Sequence, residues 1–124
     1  MKNIPQISEA EWQVMKVLWS HSPLTANGII EELGSRVRWK PKTVKTLISR
    51  LVSKKALGYE KDSRLYHYFP LVSENECVRE ESKSFLERVY GGAIKALLVN
   101  FIEEEPLSRE DIEELKRLLD GKKD

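Results

Sequence analysis

Between Pro41 and Phe69 the hydrophobic period of the chain changes, and that change restricts the folds open to it. Val44, Leu47, Ile48 and Leu51 recur at i, i+3, i+4 and i+7, the spacing of one buried helix face. Lys42, Thr46, Ser49, Arg50 and Ser53 recur on the opposite face. Pro41 suits the first helical turn, where its missing N–H costs nothing, and Gly58 reads as the C-terminal stop. The pattern then alternates through Leu57 and Tyr59, crosses the polar stretch Lys61–Arg64, and resumes from Leu65 to Phe69. Alternation and aromatic content predict two short strands around a polar tip, a β-hairpin.

Two further helices precede this segment. Ser8 and Glu11 have the spacing of a capping box, and the helix they start carries Ala10, Val14, Val17 and Leu18 as one stripe. Trp12, Met15 and Trp19 widen that stripe, so this helix is buried on several sides. Ser22-Pro23 ends it. Thr25 caps a second helix bearing Ile29, Ile30 and Leu33, which stops at Gly34. Three helices followed by a hairpin is the plan of a winged helix-turn-helix, with the hairpin as the wing.

The charge is distributed to match. The chain of 124 residues carries a net charge of only +1. From Arg36 to Arg64, however, ten Lys and Arg stand against two acids, a local charge of +8. From Glu74 to Asp124, nine basic residues stand against fourteen acids, giving −5. One end is composed to meet a polyanion and the other is not. A helix presenting Lys, Thr, Ser and Arg outward suits a DNA major groove, although a solvated basic face is the plainer alternative. On the DNA reading, Arg50 would pair with guanine, and Thr43 and Thr46 would contact bases or phosphates. Lys42, Lys45, Lys54 and Arg64 would neutralise phosphates of a double-stranded partner.

Beyond the hairpin, Ser73 and Glu76 form a second capping box. A long helical segment follows, through Phe85, Leu86, Val89, Tyr90, Ala93, Ile94, Leu97 and Leu98, interrupted by Gly91-Gly92. Each glycine costs a helix about 0.5–1 kcal/mol relative to Ala, so a bend or a close helix approach is expected there. Pro106 breaks the chain, and Ser108 with Asp111 starts a last helix holding Ile112, Leu115, Leu118 and Leu119. Residues 74–124 fall below the ~60 residues that bury enough surface for easy stability. They must pack back on the first domain or pair with another copy, and the long helix-then-helix pattern favours a homodimer. The division expected is a DNA-binding domain at 1–72 and a small helical dimerisation domain at 73–124, mainly α within an α+β class.

Other chemistry is poorly supported. His21, His67 and Cys77 lack the spacing of a zinc site, and the chain contains no CxxC pair. No GxSxG, SxxK or glycine-rich phosphate loop occurs. No metal, no cofactor and no catalytic residue is expected. Tyr66 and Tyr68 could stack on bases, but packing is the plainer use. Met1-Lys-Asn-Ile-Pro5 lacks the apolar core of a signal peptide, and no apolar run approaches the ~20 residues of a membrane span. A cytoplasmic location without membrane insertion is expected. A regulator with a small-molecule pocket near Tyr90 and the two glycines remains an alternative.

Three passages resemble the BlaI/MecI penicillinase and methicillin-resistance repressors. They are Ile7-Ser-Glu-Ala-Glu-Trp-Gln-Val-Met15, Trp39 to Leu51, and Leu98-Val-Asn-Phe-Ile-Glu103 followed by Leu107-Ser108. They lie in colinear order over nearly the whole chain. The resemblance implies a cytosolic dimeric repressor on a dyad operator of β-lactamase or related resistance genes. It also implies a membrane sensor protease of the BlaR/MecR type as an upstream partner, and inactivation by cleavage. Lys42, Thr43, Thr46 and Arg50 match the DNA-contacting positions of the family's recognition helix. Asn100-Phe101 matches its cleavage dipeptide. Lys40 stands where relatives often carry serine. The copper-responsive branch has a Cys-rich C-terminal motif, whereas this chain has only Cys77, so a metal response is not implied.

Overall fold

The computed structural model describes residues 3–122. In chain order it forms α1 (Glu9–Ser20), α2 (Ala26–Leu33), a 3-10 turn (Gly34–Arg36), α3 (Pro41–Ser53), β1 (Leu57–Asp62), β2 (Leu65–Pro70), α4 (Glu74–Tyr90), α5 (Ile94–Glu104) and α6 (Arg109–Asp120). The helix starts follow their caps. Ser8 and Glu11 close a reciprocal capping box on α1, Ser108 and Asp111 do so on α6, and the Thr25 hydroxyl accepts from Gly28 N–H on α2. The Ser73 hydroxyl and the Glu76 carboxylate exchange the same pair of bonds at the start of α4.

The core belongs to the first unit. Val14, Met15, Val17 and Leu18 of α1 meet Ile29 and Leu33 of α2 and Val44, Leu47, Ile48 and Leu51 of α3. Each such aliphatic side chain removed from water contributes about 1.5–3 kcal/mol. Trp12 and Trp19 pack edge to face at 5.4 Å, and the Trp19 indole N–H donates to Val72 O at 2.9 Å, tying α1 to the chain leaving the wing. The wing is an antiparallel hairpin registered from Leu57 opposite Pro70 to Asp62 opposite Leu65. Leu24 and Tyr68 exchange backbone hydrogen bonds at 3.1 and 2.8 Å, which joins the α1–α2 connection to the wing.

Three expectations change. First, α3 stops before Gly58. Lys54 is its C-cap, Lys55 adopts the left-handed conformation at φ 66°, and β1 begins at Leu57. Gly58 is a strand residue, where a Cβ would lie 3.0 Å from both the Leu71 and Phe69 side chains. Close packing rather than helix termination requires that glycine. Second, the two compact units run to Ser82 and from Lys83, so the division falls inside α4 rather than at 72/73. The reason is that Cys77 is buried with Val72 in the first core, and Glu74 pairs with Lys16 of α1 at 3.1 Å. Third, the bend or close helix approach expected at Gly91-Gly92 is a full break into two helices. Gly91 and Gly92 take φ of 58° and 86°, a conformation costly for other residues, and they separate α4 from α5.

Candidate nucleic-acid interface

The outer face of α3 is built against its own dipole. Lys40 is the N-cap but makes no side-chain cap, Pro41 follows, and the first turn contains no acid. Cations at a helix N-terminus are unfavourable by about 0.3–1 kcal/mol each, so Lys40 and Lys42 weaken α3 in isolation. An anion at that end would reverse the sign. Lys40→Ser is therefore expected to raise stability by about 1 kcal/mol through a restored cap. Thermal unfolding of the variant reads the effect.

A shallow groove along α3 is lined by Lys42, Lys45, Thr46, Ser49 and Arg50. All five are exposed, as is Thr43. Among the described residues, the side chains of Lys42, Lys45 and Arg50 make no hydrogen bond or ion pair. The Thr46 hydroxyl donates to Lys42 O at 3.0 Å, so toward a ligand it offers lone pairs and a methyl group, not a proton. A second niche of about 190 Å³ lies where α2, α3 and the wing converge. Lys45 and Arg64 contribute cations, Thr25, Ala26 and Asn27 contribute the start of α2, and Leu65, Tyr66 and Tyr68 form the wing side. Tyr59 meets Tyr66 edge on at 5.1 Å and Tyr68 at 6.2 Å, while Lys61 lies 5.8 Å from the Tyr66 ring. These contacts stiffen the wing, which is the packing role expected of the tyrosines. Ser49 and the start of α2 were not among the expected site residues. Only the fold brings Thr25–Asn27 beside Lys45 and Arg64.

Lys54, expected as a phosphate contact, is exposed but does not line the α3 groove. Its ammonium donates to the Glu11 carboxylate at 2.5 Å and to Gln6 O at 2.9 Å. Glu11 is only 2% exposed. Burial pushes its carboxyl up, but the Lys54 hydrogen bond, the Ser8 bonds and the Lys54 charge outweigh that and hold it below the ordinary carboxylate value. Withdrawing Lys54 toward a phosphate would leave a desolvated carboxylate without its cation.

Among its described residues the second unit buries no side chain. Leu86, Tyr90 and Leu97 are half-buried, whereas Val89, Ile94, Ile112, Leu115, Leu118 and Leu119 are exposed. An apolar groove of about 280 Å³ runs between α5 and α6, lined mainly by Leu98, Phe101, Ile102, Leu107, Leu115, Leu118 and Leu119. Asn100 and Phe101 lie within α5, and Asn100 Nδ2 donates to the Tyr90 hydroxyl at 2.9 Å. Among the described residues no helix is long and apolar enough to cross a membrane, and no three His, Cys, Asp or Glu converge as metal ligands would.

The penicillinase repressor family profile matches residues 7–121. The chain is 43% identical over 123 residues to the penicillinase repressor of Bacillus licheniformis, spanning 99% of this chain and 96% of that protein. It is 42% identical over 117 residues to the methicillin resistance regulatory protein MecI of Staphylococcus aureus (strain N315), spanning 94% of this chain and 95% of that one. A solved structure of Bacillus licheniformis BlaI, in its monomeric form in complex with the blaP half-operator, matches with a TM-score of 0.53 at 46% identity. That match covers 61% of this chain and 93% of that chain.

Proposed function

The chain belongs to the penicillinase repressor family of DNA-binding transcriptional repressors, and from that premise we propose how it acts. It binds, as a cytoplasmic homodimer, a two-fold operator in front of β-lactamase or other β-lactam-resistance genes. The observation that carries this reading is the outer face of α3, where Lys42, Lys45 and Arg50 stand exposed beside Thr43, Thr46 and Ser49. Arg50 reads a base edge by its paired N–H donors, and Thr43 and Thr46 contact bases or backbone. Lys42, Lys45 and Arg64 neutralise phosphates, with the niche at the start of α2 taking one of them.

Dimerisation is proposed through α4–α6. The argument is energetic: no side chain of α5 or α6 is buried within the chain. A second copy is the occupant that satisfies two such faces at once, and it spaces two α3 helices on a dyad. Inactivation is proposed to follow activation of a BlaR/MecR-type membrane sensor, with cleavage between Asn100 and Phe101. That bond lies inside a helix, so its cleavage requires α5 to unwind locally first.

Arg50→Ala and Arg64→Ala test the division of labour. Arg50→Ala is expected to cost roughly 1–3 kcal/mol and to relax base preference at one position per half-site. Arg64→Ala is expected to weaken selected and random duplex alike and to lower the salt slope by about 1. Equal losses on both duplexes for both variants would reduce Arg50 to a phosphate contact. A small ligand that weakens operator binding with the chain intact would favour a ligand-sensing regulator instead.

A further inference from the structure

We propose that Glu11 and Lys54 are positioning residues for DNA reading, whose ion pair fixes the end of α3 and the root of the wing against the first turn of α1. The proposal rests on α3 being the recognition helix. Lys54 is the C-cap of α3, and its backbone N–H bonds to Arg50 O, the carbonyl of the proposed base-reading residue. Lys55 then turns the chain in the left-handed conformation, and buried Ala56 and Leu57 begin the wing. The anchored point therefore lies between the two parts of the fold that face DNA.

What it is anchored to is rigid. Glu11 Oε1 accepts from Lys54 Nζ and, at 2.9 Å, from Ser8 N–H, so one carboxylate serves both the α1 capping box and the end of α3. Lys54 also donates to Gln6 O at 2.9 Å. Glu11 is the one buried charged residue among the described residues. An apolar residue would fill its place without needing a distant partner. A carboxylate fits only when Lys54 is at one distance and direction, and that requirement sets the pose of α3.

The test uses the full-length protein and two duplexes of equal length. One is a two-fold sequence selected by the wild-type protein from a random pool, and the other is an unselected random sequence. Lys54→Met and Glu11→Gln are each expected to weaken the selected duplex about tenfold while leaving the random duplex and the salt slope unchanged. Lys54→Arg is expected to recover part of the preference. Thermal unfolding in the same buffer confirms that each variant is folded at the titration temperature. The double variant Glu11→Leu/Lys54→Met, an apolar exchange that restores stability without the directed bond, is expected to remain weak on the selected duplex. Recovery of both stability and preference in the double variant would make the pair merely structural and overturn the proposal. So would Lys54→Met weakening both duplexes and lowering the salt slope by about 1 with Glu11→Gln harmless, because Lys54 would then be a phosphate contact. Arg50→Ala separates the two levels. If it lowers preference and the pair variants do not, only this inference fails; if Arg50→Ala has no effect, the recognition-helix reading itself fails.

Discussion

A chain ending at Asn100 is expected to sediment as a monomer and to hold a half-site only weakly, with its winged helix intact. The truncation removes the last turn of α5 and all of α6. With them go Phe101, Ile102, Leu107, Ile112, Leu115, Leu118 and Leu119, each 36% or more exposed in the single chain. Burying one such side chain is worth about 1.5–3 kcal/mol. Losing several per copy, doubled by symmetry, exceeds the ~8 kcal/mol of a micromolar dimer. The first core contains no residue beyond Cys77, so the remaining fragment keeps its fold. Without the tether between two α3 helices, the gain from binding both half-sites at once disappears. Sedimentation and titration of residues 1–100 read both effects. A fragment that stays dimeric and holds a two-fold duplex at full-length affinity would remove cleavage at Asn100–Phe101 as the switch.

Lys54→Met is expected to destabilise the fold by roughly 2–3 kcal/mol at neutral pH and by less as pH falls through the carboxylate range. Breaking a fully buried pair costs about 3–5 kcal/mol, and the lower figure applies because solvent screens a lysine side chain that is 35% exposed. The sign of the pH dependence follows from Glu11. In the wild type its carboxyl is held below the ordinary 4.5. The pair therefore contributes stability that is present above that value and is lost as pH falls through the lowered one. In the variant the Lys54 contributions are gone, so burial is opposed by the Ser8 bonds alone and the folded value rises relative to the wild type. The deficit of the variant should therefore shrink as pH falls through the carboxylate range, where protonation removes the orphaned charge. Melting temperatures from neutral pH down through that range check this, and a deficit that does not change would show that lost packing rather than an orphaned charge is responsible.

The helices of the first unit were legible because their signals are local. Ser8 with Glu11, Thr25, and Ser73 with Glu76 all bond as their spacing implies, each across three residues. The apolar stripe of α3 and its exposed outer face follow from a period that one helix alone determines. The pair Glu11–Lys54 spans 43 residues, and nothing in either neighbourhood announces it. Glu11 read only as a cap, and Lys54 only as one more cation in a basic segment. Gly58 read as a helix stop because glycine usually is one there, but Lys55 takes the left-handed turn and the packing of Phe69 and Leu71 claims the glycine. The niche beside Lys45 and Arg64 was illegible for a similar reason, since α2, α3 and the wing each contribute residues that only the tertiary fold assembles. In the second unit the sequence shows apolar faces in helical register, and the single chain leaves them uncovered, so what would complete them is the second copy proposed above.

The most direct test of the account is selection of duplexes from a random pool by the full-length protein, followed by footprinting of the best binder. The account predicts a two-fold sequence protected in two half-sites whose centres lie about 10 bp apart or a multiple of that, with affinity falling steeply as salt rises. A protein that enriches no sequence, or protects a single asymmetric patch with the affinity of random DNA, would contradict it.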